Sequence, residues 1–300
     1  MIKRLANIAE MKSERFCSVM AEFNTLARTA GLTEYSTYSR LWEYPWLYLQ
    51  LKNIKTGLRL LDIGSELSPM PWFFSTHGFD VIVSDWTARY WRRWSRASRM
   101  LDVCADMRVI DTQEIDLPTN SVDVCTSFSV FEHIPDKRKA VCELARVLRP
   151  GGILAMTFDI CETDQGMNFP SWNGSAPTLK DMDQIFSESP WFEQGFSDLK
   201  WNTEDMEGFL SWNRTTAPHH NYVVGGMLIQ RNAKEWNEPV RRELALKWKN
   251  RLRTAFSRTL WFVLPMPGTH AYSFCCSVTS ILEKIRRAYR RGDMERDNKG

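Results

Sequence analysis

The sequence is short of features that mark a secreted or metal-binding protein. Its seven cysteines are scattered, odd in number, and never spaced as a C-x-x-C pair. This pattern excludes a disulfide framework and gives no argument for a metal site, so we expect reduced thiols in a cytoplasmic protein. The polar start Met1–Arg4 lacks the apolar run of a signal peptide.

Charge of one sign is concentrated at one end of the chain. The formal net charge is only +3, but residues 233–300 contain 15 Lys and Arg against 7 Asp and Glu. The rest of the chain is therefore slightly acidic, which disfavours nucleic acid as a partner, as does the lack of an RNA-module signature. The basic end favours an anionic partner.

Differences in composition divide the chain into three parts. We expect a helical, aromatic-rich cap over residues 1–56, a central domain over 57–232, and a basic helical extension over 233–300. Residues 259–282 carry no charged side chain, but prolines interrupt this run. The extension could therefore make peripheral membrane contact through 250–291, or pack as an apolar hairpin on the core or on a second subunit of a homodimer.

Short apolar runs separated by helix-compatible segments predict an α/β fold for the central domain. The runs span residues 58–63, 81–84, 107–110, 122–127, 152–158 and 222–230. Strands at this spacing need crossover helices, and continuous apolar runs are typical of parallel strands buried on both faces. The pattern therefore predicts a Rossmann-like parallel sheet. Two adjacent glycines, Gly225 and Gly226, indicate a bulge or a close approach to the last strand.

Residues that follow successive predicted strands could hold a nucleotide-like ligand. Gly64 lets the chain turn sharply after the first strand, and Asp85 follows the second strand at a distance suited to ribose hydroxyls. Trp86 could pack on an adenine ring, and Asp111 could accept from its amine. Because the carboxyl ends of parallel strands meet at one edge, these side chains should share a site. Alternatively, Asp85 caps a helix and Asp111 caps a turn.

Three further segments follow the first strand in order. They are DTQEIDLPTNSVD at residues 111–123, SVFEHI at 129–134 and ELARVLRPGG at 143–152. These resemble the D…LP-x-x-S-F-D, x-V-L-E-H-I and E-x-x-R-V-L-x-P-G-G motifs of one family. Together with the strand-end residues, the stretch from Leu60 to Phe158 is similar to the methyltransferase type 11 family, a group of class I S-adenosylmethionine (SAM)-dependent methyltransferases. Before it, RLWEYPW at 40–46 looks like a lead-in segment of some bacterial methyltransferases.

The resemblance implies a seven-stranded sheet with an antiparallel last strand, and SAM as the cofactor. In this family pattern the first turn holds the amino-acid end of SAM, the second strand end holds the ribose, and the next holds the adenine. The side chain after the fourth strand lines the pocket near the methyl group. The residues so assigned to the cofactor are Asp62, Gly64, Ser65, Asp85, Trp86, Asp111 and Phe128.

The chain departs from the family pattern at Glu66, where glycine is usual. A carboxylate here would repel the carboxylate of SAM unless it points outward or pairs with the SAM ammonium. This residue keeps open an alternative function, a non-catalytic SAM-binding or scaffold protein. A nicotinamide-dependent oxidoreductase is disfavoured because the G-x-G-x-x-G turn is missing.

The favoured function is methyl transfer to a small-molecule, glycan or lipid-linked acceptor, with O-methylation preferred. A hydroxyl acceptor needs a base, and His133, after the fourth predicted strand, is the catalytic candidate. Alternatively, Glu132 and His133 are a structural pair at a helix start. The aromatic N-terminal segment and the insertion from Cys161 to about Gly195 could form the acceptor pocket. Its polar and aromatic candidates are Asn168, Trp172 and Asn173.

A run of arginines follows Trp86. They are Arg89, Arg92, Arg93, Arg96 and Arg99, and no acidic residue interrupts them before Asp102. Helical spacing puts most of them on one face, with Trp91 and Trp94 roughly opposite. This pattern indicates either a face that binds an anionic ligand or a solvated helix face above a buried aromatic one.

Overall fold

A computed structural model describes residues 1–36, 39–161, 176–193, 195, 198–216 and 222–232. Within these residues the strands are β1 Ile2–Leu5, β2 Arg59–Ile63, β3 Asp80–Asp85, β4 Asp106–Val109, β5 Val122–Phe128, β6 Leu148–Ile160 and β7 Val223–Gln230. They form one seven-stranded sheet in the order β1-β7-β6-β5-β2-β3-β4. The described residues all lie in one compact unit, Met1–Glu235.

The centre of the sheet is parallel. Strands β2 to β6 pair in parallel, whereas β7 pairs antiparallel with β6. The central strands β2, β3 and β5 are almost continuously buried, as expected of strands covered on both faces. The Rossmann-like sheet with an antiparallel last strand is therefore confirmed.

The N-terminal segment contributes the edge strand of this sheet. β1 pairs antiparallel with β7, with Ile2 opposite Leu228 and Leu5 opposite Gly225. The sequence indicated helices for residues 1–56 and gave no sign of this strand. The division of the chain into three domains stays a prediction, although the expected N-terminal cap shares the sheet of the central domain.

Helices cover both faces of the sheet. They are α1 Ile8–Met11, α2 Glu14–Ala30, α3 Arg40–Leu51, α4 Met70–Thr76, α5 Trp91–Leu101, α6 Lys137–Val147, α7 Leu179–Ser187 and α8 Met206–Thr216. Capping residues determine where several of these helices begin or end. The Ser13 hydroxyl accepts from the Phe16 N–H at the start of α2, and Gly31 ends that helix in the left-handed conformation. Asp136 caps α6 in the same way through the Lys139 N–H.

Helix α3 packs directly on the backbone of β7. A Cβ atom at Gly226 would lie 2.6 Å from a ring carbon of Trp46, so only glycine fits beneath that indole. At Gly225 a Cβ would lie 2.5 Å from the Ile160 Cδ1 atom. The paired glycines therefore mark a close approach, one of the two explanations that the sequence left open.

Helix α5 differs from its expected arrangement at one end. Trp94 is fully buried, but Trp91 is exposed, so only one of the two tryptophans belongs to a buried aromatic face. Trp91 is the first residue of α5 and lies a turn away from the part of the helix that packs on the core. The four arginines within α5 are all exposed.

No helix among the described residues is long and apolar enough to cross a membrane. The predicted contact through residues 250–291 lies outside the described residues, as do Asn168, Trp172 and Asn173 of the insertion. These expectations stay predictions.

Candidate cofactor and active site

A cavity of about 240 Å3 opens at the carboxyl ends of β2, β3 and β5. This is the edge at which open α/β sheets bind ligands. It brings together all but one of the residues that the sequence assigned to the site. Those in its wall are Asp62, Gly64, Ser65, Asp85, Trp86, Phe128 and His133.

Gly64 makes the tight turn after β2. Its φ is +68°, and a Cβ there would lie 2.4 Å from the Val130 Cγ2 atom. Both the backbone conformation and the missing side chain are therefore required, and the turn lets main-chain atoms border the cavity. The close approach of a ligand to this turn stays a prediction.

Asp62 lies buried at the end of β2 and ties that strand to its surroundings. Its two carboxylate oxygens accept hydrogen bonds of 2.6 Å from the hydroxyls of Ser65 and Thr126. Burial raises the pKa of Asp62 to about 7, and the nearby charge of Asp85 adds to this shift. Asp62 therefore forms part of the cavity wall and also holds β2 against β5.

Asp85 ends β3 and is also buried. Its carboxylate accepts from the backbone N–H groups of Thr87, at 3.2 Å, and Glu66, at 3.3 Å. Burial raises its pKa to about 6, against the opposing effect of these two hydrogen bonds. The carboxylate thus fixes the loop after β2 and caps the turn after β3, while still bordering the cavity. The capping and ligand-binding interpretations are compatible.

Glu66 adopts a conformation that explains why glycine is usual at this position. Its φ is +42°, in the left-handed region that side chains disfavour. Its carboxylate lies at the exposed rim of the cavity, where the Tyr90 hydroxyl donates to it at 3.0 Å and the Arg89 guanidinium lies 3.5 Å away. The charge is thus directed toward an arginine, which matches the outward orientation considered from the sequence.

Asp111 is the one predicted cofactor residue that does not border the cavity. Its carboxylate accepts from the backbone N–H of Gln113 at 2.9 Å and from that residue's side-chain amide. This is the turn-capping arrangement. Its contact with an adenine amine stays a prediction.

His133 lies in a short 3-10 turn, Phe131–His133, directly after β5. Its backbone N–H donates to the Val130 carbonyl, which fixes the turn beside Gly64. His133 borders the cavity, as does Phe128 at the end of β5. The structure therefore places the candidate base at the cavity without testing its catalytic role.

The cavity wall also includes residues that sequence reasoning missed. Tyr35, Arg40 and Tyr44 from the N-terminal segment border it. The Tyr44 ring meets Phe128 edge-on at 5.1 Å, and its hydroxyl donates to Ser68 at 3.0 Å. The aromatic-rich lead-in segment was the available signal, but nothing in it specified which residues would face a ligand.

Arg40 is held in this wall by a buried carboxylate. Its guanidinium lies 2.6 Å from Glu43, which is completely buried. Glu43 also accepts from the hydroxyl of Ser129 at 2.8 Å and from that of Thr157 at 2.6 Å. One carboxylate thus joins α3 to the ends of β5 and β6, and it fixes the guanidinium at the cavity.

Comparison with known proteins identifies the domain. Residues 61–156 match the sequence model of the family described as "Methyltransferase domain". The resemblance found in the motifs is thereby confirmed for this part of the chain, whose match to a methyltransferase domain is consistent with a class I SAM-dependent methyltransferase.

Curated relatives are methyltransferases that the chain matches over part of their length. It is 26% identical to 2-methyl-6-phytyl-1,4-hydroquinone methyltransferase of Synechocystis sp. over 170 residues. This alignment covers 56% of this chain and 51% of that protein. It is 32% identical over 107 residues to 27-O-demethylrifamycin SV methyltransferase of Amycolatopsis mediterranei, covering 34% and 39%. The chain therefore spans about half or less of these relatives.

Solved structures with a similar chain course have low sequence identity. The [4+2]-cyclase SpnF is 14% identical with a TM-score of 0.48, covering 72% of this chain and 94% of that one. Phosphoethanolamine N-methyltransferase 2 of Haemonchus contortus, solved with S-adenosyl-L-methionine, is 15% identical with a TM-score of 0.46, covering 71% and 60%.

Proposed function

We propose that this protein is an enzyme that transfers a methyl group from SAM to a small-molecule, glycan or lipid-linked acceptor. The observation that carries the proposal is the meeting of seven predicted residues, from separate strand ends, around one cavity in a methyltransferase domain.

The residues present fit the cofactor. The missing side chain of Gly64 makes room for Val130, and the sharp turn at positive φ brings main-chain atoms to the cavity wall, which suits a ligand lying against the backbone. The Asp85 carboxylate is positioned by two backbone N–H groups and suits the ribose hydroxyls, while the exposed Trp86 ring beside it suits adenine. When bound, SAM supplies a methyl group activated by its sulfonium, which needs no covalent help from the protein.

The protein's own contribution is then orientation and proton transfer. Phe128 and Tyr44 form an apolar wall at the carboxyl end of β5, which excludes water from the reacting atoms. His133, at the same strand end, would take the proton of an acceptor hydroxyl onto a ring nitrogen as the oxygen is methylated. This is the basis for preferring O-methylation.

The acceptor would bind on the side formed by the N-terminal segment. Tyr35 and Arg40 border the cavity there, so an acceptor would meet an aromatic ring and a cationic group. The names of two relatives state that they methylate a phytyl hydroquinone and a rifamycin, and neither acceptor is a macromolecule. A homodimer and peripheral membrane contact through 250–291 remain part of the proposal.

The alternative function is a non-catalytic SAM-binding or scaffold protein. The reason for considering it was the negative charge of Glu66, which would repel the SAM carboxylate. That carboxylate of Glu66 is exposed and lies beside Arg89, so the repulsion is smaller than the sequence indicated. The positive φ of Glu66 remains as a cost that glycine would not carry. Direct measurement of cofactor binding separates the two functions.

The test is calorimetric titration of the full chain with SAM and with S-adenosylhomocysteine. We expect micromolar binding that is lost in Asp85→Ala. Asp80→Ala, at the exposed opposite end of β3, is the matched control and should bind like the wild type. A folded wild-type protein that binds neither ligand would contradict the cofactor assignment and leave the scaffold function.

A further inference from the structure

A second surface is formed by α5 and by the residues that flank it after β3 and in the edge strand β4, and it shares only Trp86 and Arg89 with the cavity wall. We call it the α5 face. Its basic members are the five exposed arginines Arg89, Arg92, Arg93, Arg96 and Arg99. Its apolar members are Trp86, Trp91, Met100 and Val109, which are 65%, 43%, 52% and 47% exposed. These four are most of the large apolar side chains that are exposed in the described part of the chain.

Three of the arginines are available to an external anion. Arg92, Arg96 and Arg99 follow each other at helical spacing along one side of α5. No carboxylate of the described residues lies within ion-pair distance of them. By contrast, Arg89 lies near Glu66 and Arg93 donates to the Gly31 carbonyl at 3.3 Å. The Arg96 guanidinium lies beside Gly31 at the end of α2 but has no ion-pair partner there. A row of guanidinium groups without ion-pair partners is weakly unfavourable because of mutual repulsion, and an anionic surface would relieve it.

The apolar members lie mainly at the end of this face that borders the cavity mouth. Trp86 follows β3 and Val109 ends β4, and the register places Asp85 opposite Val109. Trp91 begins α5 at the same edge. Trp86 and Arg89 belong both to this face and to the cavity wall. Trp86, Trp91 and Val109 therefore lie on the same side of the molecule as the cavity mouth.

We propose that the α5 face docks on the surface of an anionic lipid bilayer. The arginines contact headgroup phosphates, for which a guanidinium is well suited, and Trp91 and Val109 enter the interface between headgroups and acyl chains. Tryptophan is enriched at that depth because its ring has an apolar body and a polar N–H group. In this orientation the cavity mouth lies next to the bilayer. The proposal does not depend on methyl transfer.

The composition of the face favours lipid over single-stranded nucleic acid. Nucleic-acid grooves combine basic residues with aromatic rings on which bases stack. Here the exposed Met100 and Val109 side chains have no flat ring on which a base could stack. Burial of these side chains at the edge of the acyl-chain region is more favourable than contact with bases. Binding to RNA is nevertheless a defined outcome of the test.

The experiment measures partition of the full chain onto sedimented vesicles. One set contains phosphatidylcholine and phosphatidylserine in equal parts, and the other contains phosphatidylcholine alone. The variant Arg92→Gln/Arg96→Gln/Arg99→Gln removes the unpartnered guanidiniums. We expect preferential binding of the wild type to the anionic vesicles. Since each arginine near such a surface contributes about fivefold in affinity, the triple variant should bind about a hundredfold more weakly.

A matched control removes the same charge elsewhere. Arg15→Gln/Lys52→Gln/Lys55→Gln changes three exposed basic residues outside the face, and it should bind close to the wild type. Trp91→Ser should weaken binding in a way that persists at high salt, because apolar insertion is not screened. Unchanged thermal melting of each variant would show that the losses are not unfolding.

Three outcomes would overturn the proposal. The first is a wild type that binds both vesicle types equally or neither. The second is a control triple variant that loses as much as the α5 variant, which would reflect net charge alone. The third is tighter binding to a single-stranded RNA oligomer than to anionic vesicles, lost in the α5 variant, which would make the face a nucleic-acid site.

Discussion

The indole N–H of Trp94 donates to the main-chain carbonyl of Glu66 at 2.6 Å, and so links α5 to the loop that follows β2. On its other side, the Glu66 N–H donates to the Asp85 carboxylate. The residue at position 66 is therefore held through its backbone, and its side chain is replaceable. A glycine at this position would keep both links.

Glu66→Gly should stabilise the protein by about 0.5–1 kcal/mol, because it removes a side chain from the left-handed region. Glu66→Gln keeps that conformation but loses the charge, and it should leave the free energy of unfolding almost unchanged. Both variants should bind SAM at least as tightly as the wild type, since both remove a carboxylate from the cavity rim. Urea denaturation and calorimetry measure the two effects. Weaker SAM binding by both would show that the Glu66 carboxylate itself serves the cofactor.

Gly64→Ala should both destabilise the protein and abolish SAM binding. The new methyl group would lie 2.4 Å from Val130 in addition to being strained at positive φ. Gly57→Ala is the control, because Gly57 has a similar φ of +80° with no atom within 4 Å of the new Cβ. We expect the control to cost about 1 kcal/mol from backbone strain alone, and Gly64→Ala to cost about 1–3 kcal/mol more from overpacking. Equal losses in chemical denaturation would remove the steric argument.

Affinity for SAM should depend on pH through Asp85. Burial raises the pKa of this carboxyl to about 6, so it becomes protonated as the pH falls through that value and loses the charge that strengthens its hydrogen bonds from ribose hydroxyls. Affinity should then fall by up to about tenfold for each pH unit below 6, and it should be constant above about pH 7. Asp85→Asn should bind weakly with no such dependence. A variant that retains the wild-type profile would assign the titration to another group, with Asp62 the first to examine.

His133→Ala should lower the turnover rate and leave the affinity for SAM unchanged. A general base typically contributes between about a hundredfold and ten-thousandfold to the rate. The measurement needs an acceptor from a screen of hydroxyl-bearing compounds, and SAM affinity by calorimetry serves as the control. If turnover is unchanged, His133 has no part in the mechanism and the turn after β5 is structural.

Glu43→Gln should clearly destabilise the protein. It would remove the charge of a buried carboxylate that holds the half-buried Arg40 guanidinium, and the loss of a hydrogen bond to a charged group typically costs about 1.5–3 kcal/mol. Glu207→Gln provides the contrast, because Glu207 is exposed and lies 4.0 Å from Arg214, so its loss should cost less than about 1 kcal/mol. Chemical denaturation of the two variants decides the matter. Similar small losses would show that Arg40 finds another partner.

The sheet was predictable from sequence wherever local pattern and tertiary environment agree. The central runs are apolar because their strands are buried on both faces, and this signal located β2, β3 and β5 to within a residue or two. β1 gave no such signal. It is four residues long, has the adjacent Lys3 and Arg4 at its centre, and pairs with the edge that β7 offers.

The site was predictable where the backbone conformation restricts the residue type. Gly64 is required by its turn and could be identified, whereas Arg40 faces the cavity only because α3 packs on β7. The orientation of Trp91 was missed for a related reason, since helical periodicity describes the middle of a helix better than its first residue. Contacts between distant segments leave no periodic trace in the sequence.

The antiparallel pairing of β1 with β7 also determines the order of events during synthesis. β1 is synthesised before every other described strand, but Leu228, the partner of Ile2, lies in β7, the last described strand to be made. Until then β7 is missing, and the first residues have no edge on which to pair. Completion of this sheet is therefore a late step that joins the two most distant strands, which is the type of contact that slows folding. A nascent chain stopped before residue 223 would carry its first strand as an exposed, unpaired segment.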